Sequence, residues 1–283
     1  MQNKGIEFAL GWRDKVGEVN YRVSATYARN VNEITRMAGT NKRSPLGSVS
    51  TGNSTDDITF LCEGMEAGAF LMMPTNGIAN TDAKLAEYQK LRPDAKLGDL
   101  VYVDRNKDGL LNDDDRIFCG SGAPEAEIGF NAGLDWKGFD FSMNWYASIG
   151  NEIVNGSKVA SYQHNVNRDM LYQWSLDNPT STIPSYRTTS HFNARTYADI
   201  WVEDGSFLRL KNIVLGYALP KHIVRKCGLT KLRFYLAADN LLTLTKYDGY
   251  DPEVGNDGLS TRGLDMGTYP IAVQMRGGIQ IEF

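Results

Sequence analysis

The chain closes on Ile271-Ala272-Val273-Gln274-Met275-Arg276-Gly277-Gly278-Ile279-Gln280-Ile281-Glu282-Phe283, and the alternation in this stretch decides the fold. Ile271, Val273, Met275, Ile279, Ile281 and Phe283 fall on one side, with Gln274, Arg276, Gln280 and Glu282 on the other. Successive side chains of an extended strand point to opposite faces, so this is a strand with one apolar and one polar face. A strand that crosses lipid needs roughly nine to eleven residues, which this one supplies. Taken alone it fits a lipid-crossing strand and a strand of a soluble sandwich equally well.

The same period of two recurs upstream. Ile6, Phe8, Leu10 and Trp12 alternate with Glu7, Ala9, Gly11 and Arg13, and after a turn at 14–18 come Tyr21, Val23, Ala25 and Tyr27. Ile128, Phe130, Ala132, Leu134 and Trp136 lead through Lys137-Gly138 into Phe139, Phe141, Met143 and Trp145, the clearest hairpin in the chain. Ile213, Leu215 and Tyr217, then Leu232, Phe234, Leu236 and Ala238, supply two more strands. Weaker candidates are Thr59–Cys62 and Gly68–Met72, which bring the expected total to nine strands.

Short connections (14–18, 137–138, 220–230) alternate with long ones (30–56, 74–126, 148–206, 241–270). Transmembrane barrels have tight turns at the inner end and long loops outside. On that assignment Trp12, Trp136, Tyr217 and Phe283 end inward-running strands, while Tyr27 and Trp145 end outward-running ones. Amphipathic rings would then mark both water–lipid boundaries. The expected fold is all-β, an antiparallel transmembrane β-barrel with long extracellular loops. Arg22, Asp135, Asp140, Lys211, Arg233, Arg276 and Glu282 are expected on its wet face.

Composition is compatible with this but would not suggest it. The 30 basic and 34 acidic residues leave a net charge of −4, without the basic excess of a nucleic-acid groove. No apolar run approaches the roughly eighteen residues of a membrane helix. Cys62, Cys119 and Cys227 are odd in number and form no C-x-x-C spacing, and His164, His191 and His222 form no metal pair. No nucleophile elbow or acid–base pair stands in recognisable context, so no enzyme is expected and no catalytic residue is assigned. Met1 to Gly5 lead straight into a strand without an apolar export segment.

Several ordered motifs carry a family resemblance. They include Gly5–Arg13, Gly98-Asp99, Asp104–Gly109 with Asp113–Arg116, Lys137-Gly138-Phe139-Asp140 and Gly150-Asn151-Glu152-Ile153. The most specific is Val202-Glu203-Asp204-Gly205-Ser206-Phe207-Leu208-Arg209-Leu210-Lys211-Asn212, followed by Leu215-Gly216-Tyr217, Leu219-Pro220, Asp239-Asn240-Leu241, Thr245-Lys246-Tyr247, Gly249-Tyr250-Asp251-Pro252-Glu253 and Tyr269-Pro270. In this order they resemble the SusC/RagA-like TonB-dependent outer-membrane transporters of Bacteroidota over nearly the whole chain. Arg105 and Lys107 stand where that family often has acidic or small residues.

The resemblance implies a place in the cell outer membrane and residues 1–283 as the carboxy-terminal portion of a 22-stranded barrel, with the family's plug domain and signal peptide lying outside it. It implies import of an oligosaccharide or peptide nutrient, beneath a SusD-like surface lipoprotein, driven by the TonB complex through a missing amino-terminal part. Lipid bilayer is an implied partner and nucleic acid is not. The alternative from another class is a secreted carbohydrate-binding or adhesive β module stabilised by calcium, which detergent-free solubility would favour.

Within the 74–126 loop, Asp104, Asn106 and Asp108 place oxygens at alternate positions and Gly109 permits a sharp turn. The pattern follows an EF-hand loop, with the Leu110 carbonyl at its seventh position and Asp115 in place of the usual glutamate at its twelfth. These five are the candidate calcium ligands, and no other cofactor is expected. The other reading is a solvated turn whose Asp and Asn side chains cap their own backbone. In the 148–206 loop, 156–176 shows near-helical spacing, and Tyr162, Tyr172 and Trp174 could contact substrate or partner, or simply pack.

Overall fold

The computed structural model describes residues 1–40 and 42–283, so position 41, inside the connection expected over 30–56, lies outside the described residues. The chain opens with β1 (Gln2–Val16) and β2 (Val19–Glu33), followed by β3 (Arg43–Ser50), β4 (Thr55–Cys62), β5 (Ala69–Met72), β6 (Thr75–Ile78), α1 (Asp82–Tyr88), β7 (Leu100–Tyr102) and β8 (Ile117–Ser121). The hairpin β9 (Ala126–Trp136) and β10 (Phe139–Ile149) comes next, then β11 (Glu152–Asn155), α2 (Gly156–Gln163), β12 (Val202–Asp204) and β13 (Phe207–Ala218). The chain ends with α3 (Lys221–Val224), β14 (Lys231–Thr245), β15 (Leu264–Asp265) and β16 (Gln274–Glu282).

Seven long strands make one antiparallel sheet in the order β1-β2-β9-β10-β13-β14-β16. Its tight turns all lie at one end and its long excursions, 34–125, 150–206 and 246–273, at the other. Two neighbouring rows show how the period of two sorts the faces. Trp12, Val23, Ala132, Met143, Ile213, Ala238 and Met275 are successive register partners across all seven strands. One residue along, the partners are Gly11, Ser24, Asn131, Asn144, Asn212, Asp239 and Gln274. The apolar face is open: Leu10 is 77% exposed, and Ile6, Phe8, Trp12, Leu236, Val273 and Met275 are exposed with it. β1 and β16 each have a single neighbour, so both sheet edges are unpaired.

β13 begins six residues before the alternation at Ile213 suggests. Register slips between Leu210 and Asn212, against both β10 and β14, place a bulge at Lys211. An extra residue reverses the parity of side chains along the strand, which hides its first half from a period-of-two reading. The final strand is shorter than expected, starting at Gln274, because the Ile271 amide is drawn off to donate to Asp251 Oδ2 (2.9 Å).

The excursions are themselves folded. β3, β4, β5 and β8 form one small sheet, β12, β11 and β15 a second, and β6 with β7 a third. The weak strands expected at 59–62 and 68–72 therefore exist, as parts of β4 and β5, but outside the seven-stranded sheet. Thr59, Phe60, Ala69, Phe70, Leu71 and Met72 are all buried, as strands covered on both faces must be. The main core lies here, uniting Phe70, Met72, Tyr88, Leu100, Tyr102, Val154, Val159, Phe192 and Trp201 from stretches far apart in sequence. No helix among the described residues is long and apolar enough to cross a membrane.

Candidate functional site

The polar face of the large sheet carries a cross-strand network. Asn131 Nδ2 donates to Ser24 Oγ (3.4 Å), Asn144 donates to Asn131, and Asn212 Nδ2 donates to Asp239 Oδ1 (2.6 Å). Arg22 pairs with Asp135, Arg233 with Asp140, Arg276 with Asp239 and Lys231 with Glu282. Gly216 lies directly beneath the Arg233–Asp140 pair, and a Cβ there would stand 2.4 Å from both side chains. The strand glycine is what lets the ion pair pass over β13. The wall residues expected on the wet face are thus ion-paired on that face.

Where the wall meets the folded excursions, separate sequence motifs lock together. Arg209, only 3% exposed, donates to Asp251 Oδ1 (2.6 Å) and Glu253 Oε2 (2.7 Å), and Lys211 Nζ reaches the same glutamate (2.6 Å). Burial pushes the Asp251 carboxyl up, but the amides of Glu253 and Ile271 and the Arg209 guanidinium outweigh it and hold it below its usual range. The Gly150–Ile153 motif meets Val202–Ser206 in the same way. Asn151 Nδ2 donates to the Gly205 carbonyl (3.1 Å) while the Gly205 amide donates back to Asn151 (2.8 Å). A Cβ on Gly205 would sit 2.4 Å from Asn151 Nδ2, so only glycine admits this approach. The roles of Arg209, Asp251 and Glu253 were not assigned from sequence, because the partners lie some forty residues apart and no local pattern links them.

In the 104–115 loop, Asp104 Oδ1 accepts from the Lys107 amide (2.7 Å) and Oδ2 from the Gly109 amide (2.8 Å). Asn106 Oδ1 accepts from Asp108 (3.0 Å) and Asp108 Oδ1 from Leu110 (2.8 Å). Asp115 is fully buried, and its two oxygens take the amides of Arg105 (2.8 Å) and Asn112 (3.0 Å). Arg116, next in sequence, reaches into the β4–β5 sheet to the carbonyls of Asp57 and Leu71. Asp104 Oδ1 accepts a second amide from Asp108 (3.3 Å) and Asp115 Oδ1 a second from Asn106 (3.4 Å), so backbone donors already engage much of the loop's oxygen set. Among the described residues, no three His, Cys, Asp or Glu side chains converge to hold a metal ion.

The three aromatics of 148–206 separate. Tyr162 and Trp174 are buried in the core, Tyr162 edge-on to Trp201 at 5.0 Å, whereas Tyr172 is 58% exposed. The near-helical stretch forms α2 and then breaks at Asn165, whose φ is positive, before a 3-10 turn over Arg168–Tyr172. Lys158 of α2 sits among Asp248 (2.9 Å), Glu203 (3.4 Å) and Asp169 (4.0 Å). Burial disfavours its charge, but the hydrogen bond to Asp248 and the three carboxylates outweigh it and hold its pKa up. The cysteines are all free, and burial pushes the Cys119 thiol up to about 11, which makes it a poor nucleophile.

No family model matches the chain. It is 29% identical over 297 residues to TonB-dependent receptor P3 of Formosa agariphila and 27% identical over 296 residues to receptor P26 of the same organism, covering all of this chain and 29% of each relative. The TonB-dependent receptor SusC of Bacteroides thetaiotaomicron is 24% identical over 288 residues, covering all of this chain and 26% of SusC. The chain therefore spans less than a third of the relatives it matches. Among solved structures, the RagAB peptide transporter superposes with a TM-score of 0.76 at 24% identity, over 99% of this chain and 29% of that one. RagAB in its open-open state gives 0.75. The chain's homologues are receptors rather than enzymes, and a place in the outer membrane follows with them.

Proposed function

We propose that this chain, a homologue of TonB-dependent receptors over its whole length, forms the carboxy-terminal staves and outer layer of a larger closed barrel that imports a nutrient across the outer membrane. The observation that carries this reading is the seven-stranded sheet, apolar and bare on one face, ion-paired on the other and open at both edges. In lipid no water would satisfy those edges, so further strands are required to close it, 22 in all by the family resemblance. β9, β10 and β16 have 11, 11 and 9 residues, the length a tilted lipid-crossing strand needs. The tight turns then face the periplasm, and 74–126 and 148–206 belong to the extracellular side, where a SusD-like lipoprotein would close over an oligosaccharide or peptide. Coupling to the TonB complex would be the work of other parts of the receptor.

The 104–115 loop belongs to the same exterior surface, and calcium on Asp104, Asn106, Asp108, the Leu110 carbonyl and Asp115 would order it without any chemistry. The function is tested by nutrient uptake and receptor assembly in cells whose only receptor copy carries Leu236→Arg on the apolar face or Asn144→Arg on the polar face. A charge on the lipid face costs about 2–4 kcal/mol at mid-membrane, so the first should abolish assembly and uptake while the second assembles. Equal behaviour of the two variants contradicts the proposal.

A further inference from the structure

From Gly205 to Ala238 the chain carries seven lysine and arginine residues and no aspartate or glutamate, although the protein as a whole has a net charge of −4. Both ends of this run are neutralised from elsewhere. Arg209 and Lys211 pair with Asp251 and Glu253, Lys231 with Glu282 (3.1 Å) and Arg233 with Asp140. The three cations left, Lys221, Arg225 and Lys226, form no ion pair among the described residues, and all three are exposed on α3 and the 3-10 turn that follows it. The other tight turns at this end of the sheet are balanced: Lys137 pairs with Glu18 (2.7 Å), and Lys15 follows Asp14. The excess is confined to the β13–β14 connection.

The rings beside it fix its height on the wall. Tyr217, near the turn end of β13, lies against Phe139 with ring centroids 4.5 Å apart, and Phe139 stacks on Trp136 at 6.3 Å. Such rings collect where hydrocarbon gives way to headgroups. Lys221 stands four residues beyond Tyr217, and the headgroup zone is roughly 5–8 Å deep on each side of the hydrocarbon. On the barrel reading α3 therefore lies at the level of lipid phosphates. Its side chains suit that place. Val224 is buried and α3 packs on β14, while Ile223 is left 44% exposed between cations. Lysine and arginine lay their stems along apolar surface and carry their charge to the polar boundary, and each one near an anionic membrane surface adds to the attraction.

We infer that Lys221, Arg225 and Lys226 form a docking surface for the headgroups of anionic phospholipid in the leaflet that faces the tight turns. This rests on the reading of the sheet as a lipid-facing wall, and it adds a preference among lipids that an apolar face, indifferent to headgroups, does not supply. The test is native mass spectrometry of the complete receptor released from mixed micelles holding equal amounts of anionic phosphatidylglycerol and zwitterionic phosphatidylethanolamine. The receptor should retain phosphatidylglycerol in preference by roughly tenfold, and each of Lys221→Gln, Arg225→Gln and Lys226→Gln should lower that preference about two- to threefold, a charge's attraction being partly screened by salt. The triple variant should show none. Lys221→Arg with Lys226→Arg should keep the preference, and Lys15→Gln with Lys137→Gln should leave it unchanged. Equal retention of both lipids, a preference that survives the triple variant, or displacement of the lipid by millimolar inorganic phosphate would overturn the docking surface and leave the wall intact. Retention of neither lipid would overturn both.

Discussion

The wall and the layer folded over its end are made from similar residues arranged for opposite surroundings. In the layer, Trp201, Phe70 and Leu264 are buried in a core that any water-soluble domain could own. In the wall, Phe8, Leu10 and Leu236 stand in the open while arginines and carboxylates pair on the reverse side. Burial in the layer comes from contacts between distant segments, whereas the wall needs only the alternation of each strand and a solvent that is oil on one side. The one region buries its own apolar side chains; the other is completed by something outside it.

The comparison breaks most sharply if the layer is hollowed out. Trp201→Ala removes a side chain that packs on Tyr162 and donates to the Arg195 carbonyl, and should destabilise the layer by about 3–5 kcal/mol. In detergent, amide exchange should then accelerate across 43–121 and 152–204 but stay slow in β9 and β10. Uniform acceleration would mean that wall and layer fold as one unit.

Arg209→Met tests the junction. Removing one member of a buried ionic cluster leaves Asp251 without its cation and Glu253 with Lys211 alone, at a cost on the order of 3 kcal/mol. Exchange at 246–273 should rise most, and a change smaller than that of an exposed pair such as Lys231–Glu282 would assign the cluster no structural weight. Acid probes the same place with a smaller effect. The Asp251 carboxyl is held below its ordinary value of 3.8, so its contribution is fully present above that pH and is lost as pH falls below it. The layer should loosen below about pH 4, and Asp251→Asn should remove the part of that dependence seen as exchange at 246–273.

The smallest effect expected is at the 104–115 loop. Chelation of calcium should raise protease cleavage there severalfold and leave melting of the layer core unchanged; identical digestion with and without chelator would assign the loop's order to its own amide bonds.

The wall was largely legible because each strand advertises itself locally. Ile6 to Trp12 and Ile128 to Trp136 alternate without interruption, and β1 and β9 are where they place them. Legibility ended at the bulge, where Lys211 reverses the parity that a period-of-two reading depends on. It failed more broadly in the layer, whose strands 59–62 and 68–72 are buried on both faces and so carry no alternation to mark their sheet. The aromatic trio shows the same limit. Composition singled out Tyr162, Tyr172 and Trp174, but only long-range packing decided that two are core and one is exposed.

The tryptophans allow the contrast between the two regions to be measured directly. Trp12 and Trp136 lie on the exposed apolar face, and Trp174 and Trp201 in the core of the layer. With the complete receptor reconstituted in vesicles and every other tryptophan, Trp145 included, replaced by Phe so that one of these four remains at a time, brominated acyl chains should quench Trp12 and Trp136 strongly and leave Trp174 and Trp201 nearly untouched. Quenching of all four alike, or of none, would contradict a wall that faces lipid.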